Sequence, residues 1–185
     1  FIIVVAILIA YLVVRRRNLM NNIIDTLSMV PYIIPGSVVG IALVIAFNRP
    51  PLVLTGSAII MIIALIIRRL PYTIRSSVAI LQQIPMTVEE AAISLGCSKL
   101  QAFFKVTVPM MANGILSGAI LSWVTIITEL STAIILYNRS TITLTLSIYV
   151  QVSRGSYGTA AAYATVLNLI TILSLLIFMK LSKTK

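Results

Sequence analysis

An all-α, polytopic membrane bundle of about five spans is the fold class this sequence predicts, and three features of it point there. Hydrophobic residues make up 59% of the 185 and charged residues 10%, against roughly 45–50% and about 25% in an ordinary soluble domain. The apolar residues fall in long runs, at 1–14, 23–47, 52–70, 110–136 and 158–179. Basic residues gather at the ends of those runs rather than along one stripe. A soluble globule of this composition would turn large apolar patches to water. Lipid is the solvent that covers them.

Taken in order, the run at 1–14 rises only about 21 Å at 1.5 Å per residue, short of a hydrocarbon core about 30 Å thick. Phe1, which is not an initiator Met, is therefore expected to lie inside a truncated first helix, with a cleaved signal peptide as the other reading. The second run holds Pro31, Pro35 and Gly36 and is expected to bend or begin irregularly. The third is short, with Arg68 and Arg69 as snorkelling ends. Gly36 with Gly40, and Gly114 with Gly118 and Ser122, set small residues one turn apart, a pattern that lets helix backbones approach closely.

Net charge is +10, from 14 Lys and Arg against Asp25, Glu89, Glu90 and Glu129. Placing the C-terminus and residues 68–109 in the cytoplasm puts eleven basic residues inside, among them Arg15, Arg16, Arg17, Arg75, Lys180, Lys183 and Lys185. Only Arg49, Arg139 and Arg154 are then outside. The positive-inside rule selects this orientation over its inverse and accounts for the basic balance without nucleic acid. One cysteine, Cys97, and no histidine exclude an internal disulfide, a Cys/His metal site and imidazole catalysis.

The loop at 85–109 carries the most information. Pro85 ends the incoming helix. Thr87 then reads as an N-cap with Glu90 three places on, a capping box, and Glu89 and Glu90 lie at the positive end of the helix dipole. A helix at 88–95 is predicted, with Gly96 in the left-handed position after it. Ser98 and Gln101 form a second capping box for a segment running to Val106, which Val108 and Pro109 end. Two short helices joined at Gly96 make a knob whose Ala91 and Ala92 leave its surface smooth for a docking partner.

Glu90, Ala91, Ala92, Gly96, Val106, Val108 and Pro109 match, at every spacing, the cytoplasmic signature of binding-protein-dependent ABC importer permeases, which this chain resembles. Val stands at both aliphatic places where Ile and Leu are usual. The resemblance implies a coupling helix seated on an ABC ATPase dimer, an extracytoplasmic substrate-binding protein, and a second permease half or identical partner. It also implies ATP and Mg used by the ATPase and no cofactor on this chain, in agreement with the lack of a G-x-x-x-x-G-K-[ST] loop. Residues 1–185 would be one permease domain, a fragment, in a bacterial inner membrane. The segments 31–36, 68–76, 129–137 and 143–149 resemble the second half of ferric-iron importer permeases; phosphonate, thiamine, polyamine and oxyanion permeases share parts of the pattern.

Glu129 is the one acid well inside an apolar run, beside Thr125, Thr128, Ser131 and Thr132. Such a carboxylate faces a bundle interior or a wet cavity, so it is read either as part of a translocation path or as an interhelical hydrogen bond that locks helix register. Arg139 and Arg154 either meet an acidic binding protein or are simply solvated. An ion-coupled secondary transporter would need broken, charged helices in paired positions, for which only Glu129 partly qualifies. A membrane enzyme would need clustered Asp, Glu, His or Cys.

Overall fold

In the computed structural model, residues 1–16 and 18–183 are described, with side chains through 180. Of the basic residues in the orientation count, Arg17, Lys185 and the side chain of Lys183 lie outside that set. Among the described residues there is no strand. The helices are α1 (Ile2–Arg15), α2 (Leu19–Ile33), α3 (Gly36–Ala46), α4 (Ala58–Gln83), α5 (Met86–Ser94), α6 (Lys99–Ala102), α7 (Val108–Met110), α8 (Ala112–Ile127), α9 (Ala133–Leu136), α10 (Leu144–Ser153) and α11 (Tyr157–Lys183), with a π-helical turn, Phe103–Thr107, between α6 and α7. The chain forms two compact units, Phe1–Met29 with Leu70–Ser122 and Val30–Arg69 with Trp123–Lys185.

The first unit packs α1 on the second half of α4. Ala6 and Ala10, one turn apart and fully buried, bring α1 close to Ile74, Val78 and Leu81, whose spacing marks one face of α4, and Ile84, Met111 and Ile115 complete the cluster. The small-residue stripe on α8 meets another face of α4. A Cβ added at Gly118 would sit 2.9 Å from Thr73 Cα, and one at Gly114 2.5 Å from Ile80 Cβ. At the third place of the stripe, Ser122 shares a 2.9 Å hydrogen bond with Thr73. The close helix approach expected from this spacing is present, sealed by hydroxyls as well as by shape. Asn21 donates to the carbonyls of Leu12 and Arg16, which satisfies the end of α1.

In the second unit, the second apolar run breaks at Ile34–Pro35, one turn beyond Pro31, which stays inside α2. Pro35 bars its predecessor from the α region, and its own extended ψ of 141° opens α3. Gly36 follows because a Cβ there would land on Arg68, Ser131 and Thr132. Gly40 lets α3 lie against Ile135 of α9. Ile60, Met61 and Ala64 of α4 bury themselves against Ala133 and Leu136. Thr145 donates to the Ile127 carbonyl at the end of α8, and Trp123 stacks edge-on to Phe178 of α11 at 6.4 Å.

Among the described residues, by length and composition, one helix, Tyr157–Lys180, is long and apolar enough to cross a membrane, and up to three qualify if Leu19–Ile33 with Gly36–Ala46 and Lys99–Met110 with Ala112–Ile127 each form one bent span. The other two of the five expected stretches miss for identifiable reasons: α1 has 14 residues, and α4 carries Arg68, Arg69 and Arg75 within one span's length. Large apolar side chains such as Leu169, Leu173, Leu176 and Ile177 stand exposed along α11, a surface for hydrocarbon rather than water.

Candidate functional site

The knob forms where expected, with its boundaries shifted. α4 stops at Gln83, and Pro85, with φ −67° and ψ 148°, takes the N-cap position, so α5 begins at Met86. Thr87 is therefore inside the helix and exposed, and no side chain caps this end. The Thr87–Glu90 capping box does not form, because proline's extended conformation starts the helix two residues before the expected cap. Glu89 lies in the first turn as anticipated, yet its carboxylate is not a dipole partner facing water: it is 5% exposed and turned inward. Arg15 Nε donates to it at 2.8 Å and Tyr11 Oη at 3.1 Å.

The far end of α5 follows the sequence closely. Gly96 has φ +95°; its amide donates to the Ile93 carbonyl at 2.9 Å and that of Cys97 to Ala92 at 3.1 Å. This is the paired bonding of a Schellman turn, which needs a residue free to adopt positive φ. Ser98 and Gln101 cap each other reciprocally. The segment does not end at Val106–Pro109: it widens into the π turn Phe103–Thr107 and continues as α7. Pro109 is the second residue of α7. The chain then bends by 64° into α8.

The seven signature residues thus occupy one continuous loop with distinct exposures. Glu90 and Ala91 face outward and Ala92 inward, Gly96 and Pro109 are exposed, and Val106 and Val108 are half-buried. Around them the knob displays Leu95 at 87% exposure, Leu100 at 72% and Phe104 at 63%.

The second polar constellation is centred on Glu129. The expected continuous span at 110–136 breaks between α8 and α9, and Glu129 sits in that break. Its Oε1 accepts from Ser131 Oγ at 2.6 Å, Thr132 N at 3.0 Å, Thr132 Oγ1 at 3.1 Å and Arg68 Nη1 at 3.2 Å. Its Oε2 pairs with Arg69. Arg68 and Arg69 are consequently not snorkelling ends; their guanidinium groups turn inward to the carboxylate. Of the five residues grouped by sequence, the fold gathers Glu129, Ser131 and Thr132. Thr128 bonds back to the Val124 carbonyl of its own helix, and Thr125 lies half-buried on α8.

The sequence profile described as binding-protein-dependent transport system inner membrane component matches residues 2–183. The chain belongs to this family. Among its relatives, this inner membrane component is 33% identical over 171 residues to the ferric transport system permease protein FbpB of Actinobacillus pleuropneumoniae, covering 92% of the chain and 25% of that protein. It is 34% identical over 134 residues to the putative ferric transport system permease protein FbpB 1 of Haemophilus influenzae, covering 72% of the chain and 21% of the relative. It is 35% identical over 121 residues to the molybdate/tungstate transport system permease protein WtpB of Pyrococcus abyssi, covering 65% and 46%. The chain thus spans about a quarter or less of the two ferric permeases. A crystal structure of a bacterial alginate ABC transporter in complex with an alginate pentasaccharide-bound periplasmic protein superposes with a TM-score of 0.78 at 18% identity, over 99% of this chain and 71% of that one. That match shows the helical permease fold.

Sequence reasoning missed four residues of the inner membrane component's polar sites: Arg15 and Tyr11 at the knob, and Arg68 and Arg69 at the break. The available signal was arithmetic. With four acids in the chain, an ionised carboxylate in an apolar setting calls for a cation, and Arg15, Arg68 and Arg69 lie within helices.

Proposed function

We propose that this chain is the membrane-spanning permease component of an ATP-driven importer and that α5 with its flanking turns is the element gripped by a partner ATPase. The observation that carries the reading is the signature loop, folded as a protruding helix closed at Gly96 and faced with Leu95, Leu100 and Phe104. ATP binding closes the ATPase pair and draws the knobs together. The spans rock from inward-open to outward-open toward a loaded binding protein, and hydrolysis resets them, as alternating access between two states requires. A second permease half or an identical copy completes the path. The C-terminus and residues 68–109 face the cytoplasm; removing the inward-turned Arg68 and Arg69 from the inside count still leaves nine basic residues against three.

Ferric iron is the proposed cargo, on the likeness to two ferric permeases that covers up to 92% of this chain. An oxyanion is the second reading, favoured by the WtpB likeness and by the excess of guanidinium over carboxylate at the Glu129 cluster. ATP-dependent uptake of labelled ferric iron into vesicles holding the assembled importer separates them: competition by excess molybdate reassigns the cargo, and indifference to it supports iron. Gly96→Val tests the docking itself. A β-branched residue at φ +95° costs about 1–2 kcal/mol or more in the left-handed region and should remodel the turn, so the ATPase should be lost on purification while the permease is still recovered.

A further inference from the structure

One guanidinium holds both sides of the elbow between α4 and α5. Arg15 Nη2 donates to the Ile84 carbonyl at 2.9 Å, just past the end of α4 and before Pro85. Its Nε donates to Glu89 Oε1 at 2.8 Å, in the first turn of α5 beyond Pro85. Both charged side chains are 7% exposed. Tyr11, one turn back on α1, lies on the same helix face and holds the other carboxylate oxygen of Glu89. Its ring also meets Phe103 of the π turn edge-on at 4.7 Å. Above these two residues Ala6 and Ala10 are packed without exposure against α4.

We infer that Arg15, with Tyr11, is the positioning residue of the knob: it clamps the Pro85 elbow so that a displacement of α5 is delivered to α4 and α1 as one body instead of being absorbed by bending at the proline. The burial of the pair supports a mechanical role. An exposed ion pair is screened and adds little, whereas a buried, doubly hydrogen-bonded one fixes geometry and is costly to break. Glu89 and Glu90 divide the labour, since successive helix positions point about 100° apart: Glu89 faces in to the clamp, and Glu90 faces out. This inference rests on the coupling role proposed above and names the residues that transmit it.

The test uses the assembled importer, with its ATPase and binding protein, in proteoliposomes, and reads cargo taken up per ATP hydrolysed. For Arg15→Gln, ATPase should co-purify as with the unaltered protein and hydrolysis should persist, while uptake per ATP falls roughly tenfold, within the usual range of coupling between sites. Arg15→Gln combined with Glu89→Gln should fall no further, because the two act as a unit. Tyr11→Phe, which keeps the ring and removes one donor, should lower the ratio roughly threefold. A merely structural role would reduce the amount of assembled complex and leave the ratio unchanged; that result overturns the assignment. If Arg15→Gln does not assemble, an unchanged ratio in Tyr11→Phe overturns it instead. Failure of the coupling role itself appears elsewhere, as absence of ATPase from the unaltered complex.

Discussion

Glu129→Ala should cut the yield of folded permease more than any other single substitution in the second unit. The carboxylate serves Ser131, Thr132, Arg68 and Arg69 at once and is itself 5% exposed. Removing it takes the shared counter-charge from two inward-turned guanidinium groups, which for a buried pair costs about 3–5 kcal/mol, out of a total stability of about 5–15 kcal/mol. Gly36 packs against the same cluster, where an added Cβ would land on Arg68, Ser131 and Thr132. Thermal unfolding in detergent should show a large drop for Glu129→Ala and a smaller one for Glu129→Gln, which preserves shape and one acceptor. Replacing Arg68, Arg69 and Glu129 together with Met should recover much of the loss, since an apolar trio carries no unmatched charge. A variant Glu129→Gln that assembles normally yet fails to transport would instead place the carboxylate in the translocation path.

Leu95→Asp should abolish ATPase binding while leaving the permease fold unchanged. Leu95 is 87% exposed and follows the last turn of α5, so it contributes almost nothing to internal packing, and a surface substitution there is worth within about ±0.5 kcal/mol of fold stability. At a docked surface the same change introduces a buried, uncompensated charge. Hot-spot losses of about 2 kcal/mol or more follow from such changes, at least a 30-fold weakening at about 1.4 kcal/mol per tenfold. Leu100→Asp should act similarly, and Thr87→Asp, on an exposed residue outside the apolar face, should be mild by comparison. Pull-down of the ATPase with each variant reads the difference.

How much of this was legible in the sequence depends on how far apart the deciding residues lie. The Gly96 turn and the Ser98–Gln101 cap are set within five residues, and both form as read. The Gly114–Gly118–Ser122 stripe needed only helical periodicity to be recognised as a contact face. At the start of α5 two local signals compete: T-V-E-E has the form of a capping box, but Pro85 in an extended conformation opens the helix first. Local logic puts Glu89 at a helix dipole, whereas its partner Arg15 is 74 positions away. The same holds for Glu129, whose arginines lie about 60 residues earlier. Apolar periodicity shows which face is buried; it does not show which buried charges meet. The continuation of helix through Pro109 was likewise hidden, because a π turn has no reliable compositional mark.

Thiol labelling reads directly whether α5 is a cytoplasmic handle covered by a motor subunit. Ser94→Cys, on an exposed position of α5, in a Cys97→Ser background gives one reporter at the tip of the knob. A membrane-impermeant maleimide should label it in inside-out vesicles only, and bound ATPase should suppress that labelling. Labelling from the outer face, or labelling from the cytoplasmic face that the bound ATPase leaves undiminished, would rule out a docked cytoplasmic α5.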